Sequence, residues 1–347
     1  MTPCPPGNVP VFILFGPTAS GKTALIEELF TGKNAFPAEL VSADSMQVYR
    51  GMDIGTAKPS RELRAKLPHH LIDIRNPNEQ FNAGEFVHLA DAACLDIAGR
   101  GKLPVVSGGT GFYLKNFVLG LPDAPPSDSA VRKALKDEWE KLGPGPLMEE
   151  LAGADRESAS RIHAHDQYRL LRALEVYRLT GRPLSSYSSL SGLRGSIFPS
   201  GAERREEETP SLRYRFLLTG LRRERDDLYK RINERCAAMF RDGLPEEVAA
   251  LRGAGYGPLD PGLRAIGYRE FFAPGDDRRP RLSAGPGEEP PDLAAVRELA
   301  ARNSRRYAKR QITFFASLPG VIWLDAADKP ALRARELLGE FLGTGAL

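Results

Sequence analysis

The sequence of 347 residues predicts an α/β fold, a parallel sheet with helices on both faces and an all-helical insertion. Three observations predict it. Short apolar runs at 9–15, 39–43, 103–106 and 214–220 suit buried parallel strands. The first run leads into G-P-T-A-S-G-K-T at 16–23 and then into helix formers at 24–30. Strand, glycine turn and helix are the context in which G-x-x-x-x-G-K-[ST] binds phosphate, so the core reads as P-loop NTPase-like. From 127 to about 180 the apolar spacing is helical throughout. The expected organisation is a catalytic core of 1–122 and 211–347 around a helical insertion of 123–210.

Within the glycine turn, Gly16 and Gly21 let the backbone bend so that the amides of Thr18, Ala19 and Ser20 and their neighbours surround a phosphate. Proline has no N–H, so Pro17 contributes only shape. The helix starting near Lys22 adds its positive end. Lys22 adds a mobile charge, and the Thr23 hydroxyl is a candidate ligand for Mg²⁺. A di- or triphosphate ligand follows.

The next strand ends in Asp44-Ser45-Met46-Gln47-Val48-Tyr49. Ligands of doubly wound sheets sit at the carboxyl ends of the strands, so Asp44 is expected in the phosphate crevice, as a cap, a Mg²⁺ ligand or a base. Residues 51–59, G-M-D-I-G-T-A-K-P, read as a loop of the functional kind. His69 and His70 fall in an expected strand over 69–74, where neighbours face opposite ways, so they make no metal pair. A helix over 83–100 and the strand 103–106 follow. The turn Ser107-Gly108-Gly109-Thr110-Gly111 offers Thr110 as a placed hydroxyl, and no acidic residue ends that strand as a motor would require.

Helices are expected over 130–142, 146–151, 155–162 and 167–179, with Arg132, Arg161, Arg169 and Arg172 among them. Arg169 and Arg172 share a face. A flexible loop is expected over 190–210, a returning strand over 214–220, and a charged helix over 224–241 carrying Arg225, Arg231 and Arg235. The segment 262–269 includes Arg264, Gly267, Tyr268 and Arg269; 273–292 reads as disordered. The last expected helix, 293–317, carries Arg305, Arg306, Lys309 and Arg310 beside Tyr307, either a nucleic-acid stripe or a solvated face. An edge strand at 321–324 closes the chain.

Composition sets bounds. Hydrophobic residues at 41% and charged ones at 27% describe an ordinary globular protein. No apolar run reaches membrane length, and residues 1–10 lack the regions of a signal peptide, so no membrane role and a cytoplasmic location are expected. Three cysteines (Cys4, Cys94 and Cys236) in no metal spacing agree. A net charge of +3 permits an anionic partner without requiring one.

The P-loop, D-S-x-Q-V-Y, G-M-D-I-G-T-A-K-P, Gly108-Gly109-Thr110, Arg172-Ala173-Leu174-Glu175, Gly267-Tyr268-Arg269 and Lys309-Arg310-Gln311-Ile312-Thr313 together resemble the successive motifs of tRNA dimethylallyltransferases, in family order from about 11 to 324. Two positions depart from the family pattern, His165-Asp166 for Asn-Asp and Phe314 for Trp. The family's eukaryotic Cys/His zinc module is absent, which implies the bacterial type.

The resemblance implies transfer of a dimethylallyl group from dimethylallyl diphosphate to N6 of adenosine 37 in the tRNA anticodon stem-loop, by a Mg²⁺-using monomer. It implies Asp44, Thr110 and Arg235 as catalytic residues. It also implies RNA contacts by Asp44, Ser45, Met46, Gln47, Thr110, Arg132, Arg169, Arg172, Arg264, Gly267, Tyr268, Arg269 and Arg310. The residues alone leave two other classes open: a kinase on the same core, which would turn over ATP without tRNA, and a non-catalytic RNA-binding protein. The 44–59 motifs and the basic helix favour the transferase.

Overall fold

The computed structural model describes residues 9–32, 35–121, 124–187, 214–272 and 292–343. The chain divides into two compact units, Met1–Val118 with Ile197–Leu347, and Leu119–Ser196. Cys4, the loop expected at 190–210 and all but Asp292 of the segment expected as disordered at 273–292 lie outside the described residues.

Strand β1 (Pro10–Phe15) is buried over its last five residues and feeds helix α1 (Lys22–Phe30). Strand β2 (Ala38–Ser42) is followed by α2 (Arg61–Lys66), which Ser60 caps by accepting the Leu63 amide. Strand β3 (His69–His70) is shorter than the 69–74 the sequence predicts. Leu71 and Asp73 take left-handed φ values of 63° and 58°, which no strand tolerates. Asp73 is drawn there by Lys58 at 2.5 Å and Arg64 at 3.0 Å. Helix α3 (Ala83–Gly99) opens on a capping box of Asn82 and Glu85 and leads to β4 (Leu103–Gly108) and α4 (Gly111–Leu119).

The second unit holds α5 (Ser129–Leu142), α6 (Pro144–Ala154), α7 (Arg156–Arg161) and α8 (Gln167–Thr180), with no strand among its described residues. Leu135, Leu147, Leu151, Leu170, Leu171 and Leu174 form its core. The first unit resumes with β5 (Arg215–Arg222), α9 (Arg225–Arg241) and α10 (Leu244–Gly253). It ends with α11 (Leu293–Phe315), β6 (Ile322–Asp325) and α12 (Pro330–Leu342). The sequence predicts nothing beyond the edge strand, so α12 is an addition. Its Ala331, Ala334, Leu337 and Leu338 bury against the α1 side of the sheet.

Among the described residues the six strands form one parallel sheet in the order β3-β2-β4-β1-β5-β6. Phe12 and Leu14 face α1 and α12. Phe86, Phe117, Tyr214 and Phe216 build an aromatic layer, and Phe15 meets Phe315 of α11 at 4.6 Å. A separate cluster of Val48, Tyr49, Met52, Leu244, Leu263, Tyr268 and Phe271 supports the 51–59 loop from below. The carboxyl ends of β1, β2 and β4 therefore open side by side, where such sheets hold ligands.

Candidate active site

Leaving β1, the chain turns through Gly16–Thr23 into α1. Gly21 sits at the helix N-cap with φ 108°, a conformation that costs glycine nothing. Ala19 holds φ 63° without being glycine, and its carbonyl accepts Arg231 Nε at 3.1 Å. Arg223 Nε donates to the Ser20 carbonyl at 3.2 Å. With these carbonyls tied back, the first amides of α1, which have no partner inside the helix, point outward as anion donors.

Lys22 Nζ donates to the Gly16 and Pro17 carbonyls at 2.8 and 2.9 Å and pairs with no carboxylate among the described residues. Burial, and then the nearby Arg235, lower its pKa to about 8, with Asp44 pulling the other way. Arg235, from α9, makes no hydrogen bond or ion pair among the described residues, and burial holds its pKa below the ordinary arginine value. Two buried cations beside a helix N-terminus, bonded to no carboxylate among the described residues, suit an anion.

The cavity above the loop has a volume of about 370 Å³, and Thr18, Lys22, Thr23, Asp44, Arg235 and Tyr307 line it. Asp44 follows β2, and its Oδ1 accepts the Met46 amide at 2.9 Å and the Gln47 amide at 3.4 Å, a turn-capping geometry. Thr110 Oγ1 accepts the Ser45 amide at 3.0 Å and donates to Ser45 Oγ at 3.2 Å, so it grips the residue next to Asp44. Gln47 ties β2 to the 51–59 loop, taking Ser42 Oγ at 3.0 Å and reaching the Ala57 carbonyl at 3.3 Å. Met46, Gly267, Arg264, Arg269 and Arg310 also line the cavity.

Other predicted residues are otherwise engaged. Tyr268 is fully buried, and its hydroxyl donates to Glu247 at 2.6 Å. Gly267 gives its amide to Glu270 at 2.7 Å, and Arg269 pairs with the same carboxylate at 3.0 Å. In the helical unit, Arg132 and Arg172 bond Glu175 at 3.1 and 2.9 Å, while Arg169 is largely exposed. Arg305 bonds Asn233 and Glu298, Arg306 is exposed, and Arg310 stacks over Tyr307 at 5.7 Å.

Sequence reasoning missed the roles of three residues. Glu247 accepts the Asp53, Ile54 and Gly55 amides at 2.8, 2.8 and 3.2 Å and so shapes the G-M-D-I-G-T-A-K-P loop. Tyr307 lines the cavity; burial and the charge of Asp44 raise its pKa to about 12, against bonds to Thr110 and Gln311. Gln311 is buried between two loops. Gln311 had a signal in the K-R-Q-I-T run and Tyr307 in its place beside the basic stripe, whereas Glu247 had none.

Among the described residues no group of three or more acidic, His or Cys side chains is arranged to hold a metal. The Thr23 hydroxyl and the cavity-facing Asp44 suit Mg²⁺, which keeps several waters and reaches proteins through few side chains and a substrate phosphate. No helix of the described residues is long and apolar enough to cross a membrane.

A family model described as IPP transferase matches residues 47–318. The chain belongs to the IPP transferase family. The tRNA dimethylallyltransferase of Geobacter sulfurreducens is 42% identical to this IPP transferase over 313 residues, 90% of this chain and 91% of its own. The solved tRNA isopentenylpyrophosphate transferase of Bacillus halodurans is 33% identical, with 97% of each chain covered and a TM-score of 0.62. A eukaryotic dimethylallyltransferase acting on tRNA, 24% identical, shares the fold at a TM-score of 0.71, over 97% of this chain and 80% of its own.

Proposed function

We propose that this IPP transferase moves a dimethylallyl group from dimethylallyl diphosphate to N6 of adenosine 37 beside the tRNA anticodon and releases diphosphate. One observation carries the reading: two buried cations that no carboxylate bonds among the described residues, Lys22 and Arg235, share a single cavity with Asp44. An anion-binding floor beneath a carboxylate is what a reaction needs when an anion leaves as an amine attacks.

In the reaction the bond from the allylic carbon to the diphosphate oxygen breaks, the bond to N6 forms, and a proton leaves N6. Negative charge builds on the diphosphate, and Lys22, Arg235 and the first amides of α1 meet it where it develops. Mg²⁺ on Thr23 would neutralise part of the same charge. Asp44 accepts the N6 proton. Thr110 keeps Asp44 in position through Ser45. The adenosine leaves its stack to enter the cavity, as targets of other base-modifying enzymes do. Arg264, Arg269 and Arg310 at the cavity rim and Arg169 of the helical unit are the cations offered to RNA phosphates. We assign the protein to the cytoplasm as a monomer, in keeping with its free buried Cys94 and Cys236.

The test is mass spectrometry of tRNA incubated with the protein, Mg²⁺ and dimethylallyl diphosphate. A mass gain of one dimethylallyl group at adenosine 37 is expected. ATP turnover without tRNA, and no modified nucleoside, would point to a kinase instead.

A further inference from the structure

Helix α11 carries one side chain that joins both halves of the reaction, and it has no part in the chemistry just described. Gln311 is 5% exposed. Its Oε1 accepts the Thr18 amide of the phosphate loop at 3.0 Å, and its Nε2 donates to the Gly109 carbonyl of the β4 turn at 2.7 Å. The two partners stand 293 and 202 residues away in sequence. A carboxamide is the side chain that meets a donor on one side and an acceptor on the other.

The fit is close. A Cβ on Gly109 would lie 2.6 Å from Gln311 Nε2, so a side chain at residue 109 would push the amide aside. Flanking residues of α11 brace the same turn. Tyr307, one helical turn earlier, lines the same cavity as Gly109, and the Phe314 ring packs against Gly111. Thr110 in turn holds Ser45, next to Asp44.

We propose that Gln311 is a positioning residue that locks the phosphate loop to the β4 turn and so fixes the leaving group relative to the nucleophile. The proposal rests on the transfer reaction assigned above. The phosphate loop sets where the allylic carbon is held, and the Thr110–Ser45–Asp44 chain sets where N6 is held. Gln311 is the direct polar bridge between them. Each substrate still finds its own contacts when the bridge is cut, so affinity survives and the rate does not.

The test compares wild type with Gln311→Met, which keeps the volume and loses both hydrogen bonds. Turnover should fall by roughly 10²-fold, the cost of misplacing reacting groups by about 1 Å. The KM values for tRNA and dimethylallyl diphosphate should change much less, and the folded fraction should stay at wild-type level. Gly109→Ala leaves Gln311 in place and displaces its amide, so it should give the same signature from the other side of the bridge. In a double-mutant cycle the losses from Gln311→Met and Thr110→Val should be less than additive, because both cut one path. Wild-type turnover in Gln311→Met, or a rate loss that tracks the unfolded fraction, overturns the lock. Absence of transfer by the wild type overturns the reaction itself, which is a separate result.

Discussion

Each unit of the molecule surrounds buried charge, and the two do so in opposite ways. In the helical unit, the fully buried Glu175 accepts Ser127 Oγ at 2.6 Å, the Asp128 amide at 2.8 Å, Arg132 at 3.1 Å and Arg172 at 2.9 Å. Its oxygens are satisfied inside the fold. In the catalytic unit, Lys22 has only carbonyl partners and Arg235 has none among the described residues. Burial raises the Glu175 pKa, but bonds from Ser127 and Arg172 outweigh it and leave the value lowered. Asp44 offsets only part of the desolvation of Lys22 and Arg235, and both stay lowered. A cation matched to a structural carboxylate serves stability, and a cation left unmatched is held for a ligand.

The largest effect should come from removing the unmatched charge. Lys22→Ala is expected to abolish transfer and weaken dimethylallyl diphosphate binding, while gel-shift affinity for tRNA stays near wild type. Undiminished diphosphate affinity would mean that the loop does not hold the leaving group. The same lysine sets a pH signature. Its pKa of about 8 in the fold lies below the ordinary 10.5, so the folded state binds fewer protons than the unfolded state in that window. The stability of the ligand-free protein should therefore gain from this group as pH rises from about 8 to 10.5, while diphosphate affinity falls. Calorimetry and ligand titration at matched pH values separate the two trends.

Next in size is Asp44→Asn, which keeps the shape and cannot accept a proton. Transfer should drop by roughly 10²–10⁴-fold, the usual contribution of a positioned base. Both substrate affinities should move far less. Recovery of activity with excess Mg²⁺ would instead make Asp44 a metal ligand.

The matched cluster should respond in stability. Glu175→Ala leaves Arg132 and Arg172 facing a buried gap, a loss of about 3–5 kcal/mol for one partner of a buried pair. Denaturant unfolding should report it. The carboxyl pKa is lowered in the fold, so its stabilisation is complete above the ordinary 4.5 and is lost as pH falls toward the lowered value. The smallest effect belongs to the exposed stripe. Replacing Arg305, Arg306 and Arg310 together should flatten the salt dependence of tRNA binding, in proportion to the phosphate charge those side chains neutralise. Arg305 already has protein partners, so the slope should change by less than three fully neutralised phosphates would give. An unaltered slope would remove the stripe from the RNA surface.

What the sequence makes legible is local. The phosphate loop carries its geometry in eight adjacent residues, and buried parallel strands are plain apolar runs, so the strands and most helices around them can be placed from sequence. Helices α2, α4, α10 and α12 go unplaced, the last two because their apolar faces are matched far away in sequence. Leu244, Val248 and Leu251 of α10 pack with Val48 and Met52, and Leu337 and Leu338 of α12 pack with Leu25 and Leu29. Strand β3 is shorter than its pattern because Asp73 answers to Lys58 and Arg64, which nothing around residue 73 announces. Site residues divide in the same way. Lys22 and Asp44 declare themselves through motifs, whereas Glu247 and Gln311 act on backbone nearly two hundred residues or more distant. Tyr268 and Arg172, expected on the RNA side from family motifs, prove to be bonded to Glu247 and Glu175. A motif preserves position, and only packing reveals which way the side chain is used.

The strand order has a consequence for the timing of synthesis. β1 lies between β4 and β5, and the helical unit intervenes between those two neighbours along the chain. At roughly 5–20 residues per second, a ribosome that has finished β4 needs about 5–20 s more to deliver β5. Until then the central strand has one open edge, and the loop that follows it lacks Arg223 and Arg231, which tie back its carbonyls. Gln311 and α12 emerge later still. A nascent chain thus carries a complete phosphate-binding motif long before it has a phosphate-binding site, and activity waits for α9 and α11 to be made.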